Sequence, residues 1–165
     1  MSIANSFLQE LQHEAGNTRK LFDAMSNDVL DYRPDEKAWT MAELAAHISE
    51  SYHWYVSAFE SDALDFATYT YDKGDISSVD FLKAKLEENI AQAAACLEGA
   101  TDDAVFMQEW HMKHGENTLG SMPRIMVVRS LLMNHLYHHR GQLSAYLRAA
   151  GKKVPGIYGP SADER

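Results

Sequence analysis

The chain contains one cysteine, Cys96, in 165 residues. An internal disulfide is therefore excluded, and stability has to come from a packed core, which a chain of this length can build as one domain over residues 1–165. Four prolines and nine glycines are too few and too scattered to form a linker, so no internal boundary is placed. No fixed-period repeat occurs. Apolar runs long enough to span a bilayer, about 18 residues, are missing, as is an opening charged segment followed by an apolar one. The expectation is a soluble cytoplasmic protein with no membrane partner. Positive charge is also scarce: 15 basic residues face 24 acidic ones, for a formal net charge of −9. The densest basic group is only Arg148, Lys152 and Lys153. A nucleic-acid backbone would be repelled, which excludes nucleic acid as a partner.

Helical periodicity is abundant. A first segment from about Ile3 to Met25 spaces Phe7, Leu8, Leu11, Ala15, Leu21, Phe22 and Met25 along one face, weakened slightly at Gly16. Pro34 pushes Arg33 out of helical geometry. A second helix is then predicted from Thr40-Met41-Ala42-Glu43, a capping box, to about Glu60. The third starts near Ser77 or Ser78, carries Phe81, Leu82, Leu86, Ile90, Ala94 and Leu97, and stops at Gly99. The fourth opens around Ser121-Met122-Pro123 and runs to Ala150, with Gly151 as its stop. The expected fold is all-α, a four-helix bundle with long connections. One connection, Asp62 to Ile76, is rich in aromatic and acidic residues, and Tyr69, Tyr71 and Phe66 there could line a pocket or cover the bundle end. The other, Phe106 to Gly120, has room for a short hairpin around His114-Gly115-Glu116-Asn117. Connections this long point to crossovers or a site-lining loop.

The last helix reads Asn134-His135-Leu136-Tyr137-His138-His139-Arg140-Gly141-Gln142-Leu143. His135 and His139 are four apart, hence one turn apart on the same face, and two such imidazoles can grip one transition metal. A helical wheel places both among Ile125, Val128, Leu132, Leu143 and Tyr146. The same projection of the second helix sets His47 among Leu44, Ile48, Ser51, Tyr55 and Ala58. Buried imidazoles are costly unless each nitrogen has a partner, and a metal removes that cost. His47 is thus the best third ligand for His135 and His139. His13, His53, His111, His114 and His138 fit less well. Arg140 and Gln142 fall off the ligand face and suit ion pairing or orientation of a ligand. Cys96 reads as a small buried hydrophobe. No general base is identifiable: Glu43, Ser51, Tyr55 and Tyr137 each have a sufficient packing or capping role.

These stretches resemble the DinB family of metal-dependent four-helix bundles. The matching elements are Tyr32-Arg33-Pro34, the run from Trp39 through His47-Ile48, the His135 to Leu143 segment, and Val154-Pro155-Gly156-Ile157-Tyr158-Gly159-Pro160 with the residues to Glu164. The resemblance implies that His47, His135 and His139 bind one divalent metal, commonly nickel or zinc, with iron a further candidate. It also implies a homodimer and, for some relatives, a transferase activity that uses a low-molecular-weight thiol.

Three histidine ligands leave coordination positions open. Two enzyme chemistries on a small-molecule substrate follow: S-transfer from a bound thiol, or hydrolysis by an activated water. The alternative is a non-catalytic, metal-binding homodimer with a stress-response or interaction role.

Overall fold

A computed structural model of the chain describes residues 2–165. Helix α1, Ile3–Asp23, begins where the Ser2 side chain accepts from the Asn5 amide, and it buries Phe7, Leu11, Ala15, Leu21 and Phe22. It ends two residues before the expected Met25. Helix α2, Met41–Glu60, carries the anticipated capping box between Thr40 and Glu43. Helix α3, Val79–Gly99, is capped by Ser78 and buries Leu82, Leu86, Ile90 and Leu97. Phe81, expected on the apolar stripe, is instead 51% exposed.

The fourth helical stretch comes in three pieces. Arg124–Met126 forms a short α4, Val127–Met133 widens into a π-helical turn, and Asn134–Ala149 forms α5. The Asn134 amide donates to the Arg129 carbonyl, five residues back, as a π-turn requires. Gly151, at φ +76°, supplies the left-handed stop that follows α5.

These helices surround one apolar core. Helix α1 packs on α3 and α5, and α2 likewise packs on α3 and α5, so the link from α1 to α2 crosses the bundle. The crossing falls at this link and not at Asp62 to Ile76, whose flanking helices α2 and α3 pack side by side.

The chain is not purely all-α. Ala63–Asp65 (β1), Glu109–His114 (β2) and Asn117–Pro123 (β3) form a three-stranded sheet in the order β1-β2-β3, β1 parallel and β3 antiparallel to β2. The hairpin lies where the sequence placed it, turning at Gly115 with φ +58°. It extends further than expected: Ser121, Met122 and Pro123 belong to β3, so the last helix starts only at Arg124. β1 has three residues, too few for alternation to register.

Two buried side chains weld this sheet to α2. The Trp110 indole donates to the Ser57 carbonyl at 3.1 Å. Arg124, 4% exposed, donates through Nε to the Ala58 carbonyl at 2.8 Å, and through Nη2 to the Ser61 carbonyl and Asp62. The free carbonyls at the end of α2 thereby gain a cationic donor, which complements the negative end of the helix dipole. None of the described helices is long and apolar enough to cross a membrane.

Candidate metal centre

The α2–α5 contact brings together the three histidines singled out from the sequence. One ring nitrogen from each of His47, His135 and His139 falls within 4.8 Å of the others. His139 is buried, and His47 and His135 are half-buried. The Nε2 atoms of His47 and His135 lie only 2.8 Å apart.

The outward nitrogens explain what this means chemically. His47 Nδ1 lies 3.0 Å from Glu50 Oε2, and His139 Nδ1 lies 2.7 Å from Gln142 Oε1. Both partners are acceptors, so each Nδ1 carries the hydrogen and each Nε2 is left as a lone pair. One proton on His135 can serve one of these lone pairs, not both. A cation serves all three imidazoles at once, and carboxylate or amide partners on the far nitrogens are what metal-ligating histidines ordinarily have. Two nitrogens on a tetrahedral ion at about 2.1 Å stand about 3.4 Å apart, so the pair at 2.8 Å has to open only slightly. The donor set fits a borderline transition metal and not magnesium or calcium.

Electrostatics point the same way. Burial lowers the His135 imidazole to about 4, with His139, His47 and His138 adding to the effect. Burial likewise lowers His139, although Gln142 partly opposes it. Both are thus neutral near pH 7, the form a metal requires. Glu50 is pushed up by burial, but hydrogen bonds from His47, Tyr69 and Trp54 outweigh this and hold the carboxyl below its usual range. It stays a carboxylate facing His47.

Aromatic rings fix the geometry. Trp39 packs on His47 and His139 with centroids 4.7 and 5.8 Å away, while Trp54 lies 4.9 Å from His135. The Trp54 indole donates to the Tyr69 hydroxyl at 3.0 Å. A cavity of about 330 Å³ opens beside His47, walled by Trp39, Tyr69 and Tyr71 and edged by Glu43, Glu50 and Lys73. Of the aromatic run in the second connection, Tyr69 and Tyr71 therefore do line a pocket, while Phe66 lies 41% exposed and outside it.

Other sequence candidates lie elsewhere. Ser51 donates to the His47 carbonyl, Tyr137 donates to Glu10, and Tyr55 is fully buried. Glu43 does line the cavity, but its carboxylate accepts from the Thr40 amide. The His138 ring packs against His139 without joining the cluster, His53 pairs with Gln92, and His111 with Ser121. Cys96, expected as a small buried hydrophobe, packs against the core but is only half-buried; it borders a larger groove between α2 and α3, where burial and Glu60 raise its thiol to about 11.

Arg140 forms the ion pair anticipated for it, and its partner is Glu14, 126 residues away and equally buried. Tyr158 completes the knot by donating to Glu14 Oε2 at 2.8 Å. Sequence reasoning missed Glu14 and Glu50. The second had a signal, because Glu50 stands three residues after His47 just as Gln142 stands three after His139, the spacing at which helical side chains meet.

A helical bundle that turns three imidazoles onto one point from two helices defines a class of candidate metal-binding proteins. The family model described as DinB family matches residues 1–165, and the chain belongs to that family. The uncharacterized protein YrdA of Bacillus subtilis strain 168 is 25% identical over 162 residues, covering 96% of this chain and 89% of YrdA. The uncharacterized protein YjoA of the same strain is 24% identical over 153 residues, covering 92% and 93%. Among solved structures, a DinB-like protein from Bacillus cereus ATCC 10987 aligns with a TM-score of 0.73 at 23% identity, covering 93% of this chain and 97% of that one. The crystal structure of YjoA gives 0.73 at 20%, covering 94% and 99%. These likenesses establish the fold.

Proposed function

We propose that the chain is a metal-dependent enzyme in which His47, His135 and His139 hold one divalent transition ion, nickel or zinc with iron a further candidate, and that it transfers a low-molecular-weight thiol to a small electrophile. The supporting observation is the convergence of one ring nitrogen from each of three histidines, two of which, His47 and His139, have their Nδ1 already committed to Glu50 and Gln142. A cavity that reaches His47 favours an open, reactive site over a closed structural one.

A bound ion of this kind supplies acidity to a thiol or a water, keeping the nucleophile deprotonated near neutral pH. The chain's own residues supply the rest. Glu50 and Gln142 fix the tautomers and ring planes, and Trp39 and Trp54 wall off the imidazole faces. In the transfer the thiol proton passes to solvent, sulfur forms a bond to the electrophilic carbon, and the leaving group departs with its bonding pair.

The test is elemental analysis of untagged protein purified without chelators, followed by assay with cysteine and 1-chloro-2,4-dinitrobenzene. About one metal per chain, and a thioether product lost in His139→Ala, is expected. Metal-dependent cleavage of p-nitrophenyl acetate without thiol would move the assignment to a hydrolase. One metal per chain with neither reaction would overturn the enzyme reading in favour of non-catalytic metal binding.

A further inference from the structure

The segment after β1 brings Tyr69, Tyr71 and Lys73 to the cavity at every second residue; the two tyrosines are half-buried, whereas Lys73, at the rim, is exposed like Thr70 and Asp72. Alternation of this kind is what an extended backbone imposes. The first two positions are anchored. The Tyr69 hydroxyl accepts from Trp54, and the Tyr71 hydroxyl lies 2.6 Å from Asn89 Nδ2, with Asn89 itself fully buried on α3. Lys73 comes next and edges the same cavity. Among the described residues it makes no ion pair. Asp72 does not neutralise it through a hydrogen bond, its carboxylate instead accepting from the Gly74 amide.

The two acids on the cavity edge are already engaged, Glu43 by the Thr40 amide and Glu50 by His47. With a divalent ion on neutral imidazoles, that ion and Lys73 outweigh the two carboxylates by one positive charge. A locally positive cavity would then exist on a protein of formal net charge −9, an arrangement that concentrates anions where the surrounding surface repels them. On the opposite wall Trp39 remains 45% exposed although its ring packs on two of the histidines. It offers an uncovered apolar platform beside the centre.

We infer that the substrate at this centre is a small organic anion with an apolar body, its charged group set at Lys73 and its apolar part against Trp39 and Tyr71. The cavity, about 330 Å³, is at the small end of the range of ligand pockets and admits a compact molecule rather than a polymer. The inference rests on the metal-centre reading above.

Calorimetric titration of the zinc-loaded protein with 3-phenylpropionate, 3-phenylpropionamide and acetate tests it, with zinc counted on the same samples. The carboxylate should bind more tightly than its neutral amide. Lys73→Met should weaken it about tenfold, and Lys73→Arg should keep it within about threefold. Trp39→Ala should weaken 3-phenylpropionate and leave acetate unchanged. Equal affinities for wild type and Lys73→Met at one zinc per chain would overturn the anion assignment while leaving the metal centre intact. Acetate binding as tightly as 3-phenylpropionate would overturn the apolar half. Less than one zinc per chain would instead overturn the reading on which the inference stands.

Discussion

His139 and Arg140 are consecutive residues of α5, both buried, and they belong to two different kinds of polar cluster. Arg140 faces α1, where Glu14 offers a carboxylate and a backbone carbonyl and Tyr158 adds a hydroxyl. Opposite charges meet and cancel, so the cluster is complete in charge, although the buried Arg140 Nε has no hydrogen-bond partner. His139 faces α2, where it meets imidazoles like itself and aims lone pairs at lone pairs. The difference teaches what a buried polar group is for. A group matched by its neighbours holds the fold, whereas a group matched only on its outward side is prepared for something the chain does not provide.

The largest effect should come from breaking the complete cluster. Glu14→Ala strands the Arg140 guanidinium without a counter-charge, a change that costs about 3–5 kcal/mol when a buried pair loses one partner. Thermal unfolding should fall by about 10 °C, given a few degrees per kcal/mol in a domain of this size. The paired change Glu14→Leu with Arg140→Met should recover much of that loss, because no charge is then left alone. A single variant that melts with wild type would show that the pair does not hold α1 to α5.

Breaking the incomplete cluster should look different. His139→Ala should abolish stoichiometric metal while leaving helical content intact; the ring's packing on Trp39 and its bond to Gln142 are lost, so metal-free stability should fall by about 1–2 kcal/mol, less than for Glu14→Ala. Added zinc should raise the unfolding temperature of wild type by several degrees, in line with binding to the native state alone, and should not move the variant. Equal shifts in both proteins would remove His139 from the ligand set. Glu50→Gln is gentler: it keeps an acceptor near His47 Nδ1 but removes the charge, and zinc affinity measured by competition should fall about tenfold. An unchanged affinity would reduce Glu50 to a packing role.

The two clusters also differ in how far they could be read from sequence. His47, His135 and His139 were legible because helical spacing converts position into facing direction, and the apolar stripes on α2 and α5 indicate which way is inward. The four helices were legible for the same reason. Glu14 was not, because nothing local marks an acid on α1 as the partner of an arginine 126 residues later. β1 was hidden by its three-residue length and by pairing across 48 residues with β2, as Ala63 opposite His111 shows. Lys73 escaped notice because its significance depends on Tyr69 and Tyr71 being anchored by α2 and α3. Arrangements set by period survive in sequence, while those set by tertiary partners do not.

Acid separates the clusters last and most weakly. In the metal-free fold His135 titrates at about 4, against about 6.5 for a free imidazole, because burial and its neighbouring histidines disfavour the charged form. As pH falls from about 6.5 toward 4, the unfolded chain takes up a proton that the folded one refuses, so stability is lost across that window and is complete above it. His135→Leu removes one of the two lowered imidazoles and should make this part of the metal-free pH–stability curve shallower, His139 keeping its own share. Bound metal should flatten it too until protons displace the ion, since ligation holds the imidazole deprotonated by a stronger partner than solvent. If the wild-type curve between pH 4 and 6.5 matches that of the leucine variant, the histidines are open to solvent in the folded state, and the claim that they form a dry cluster awaiting a cation fails with it.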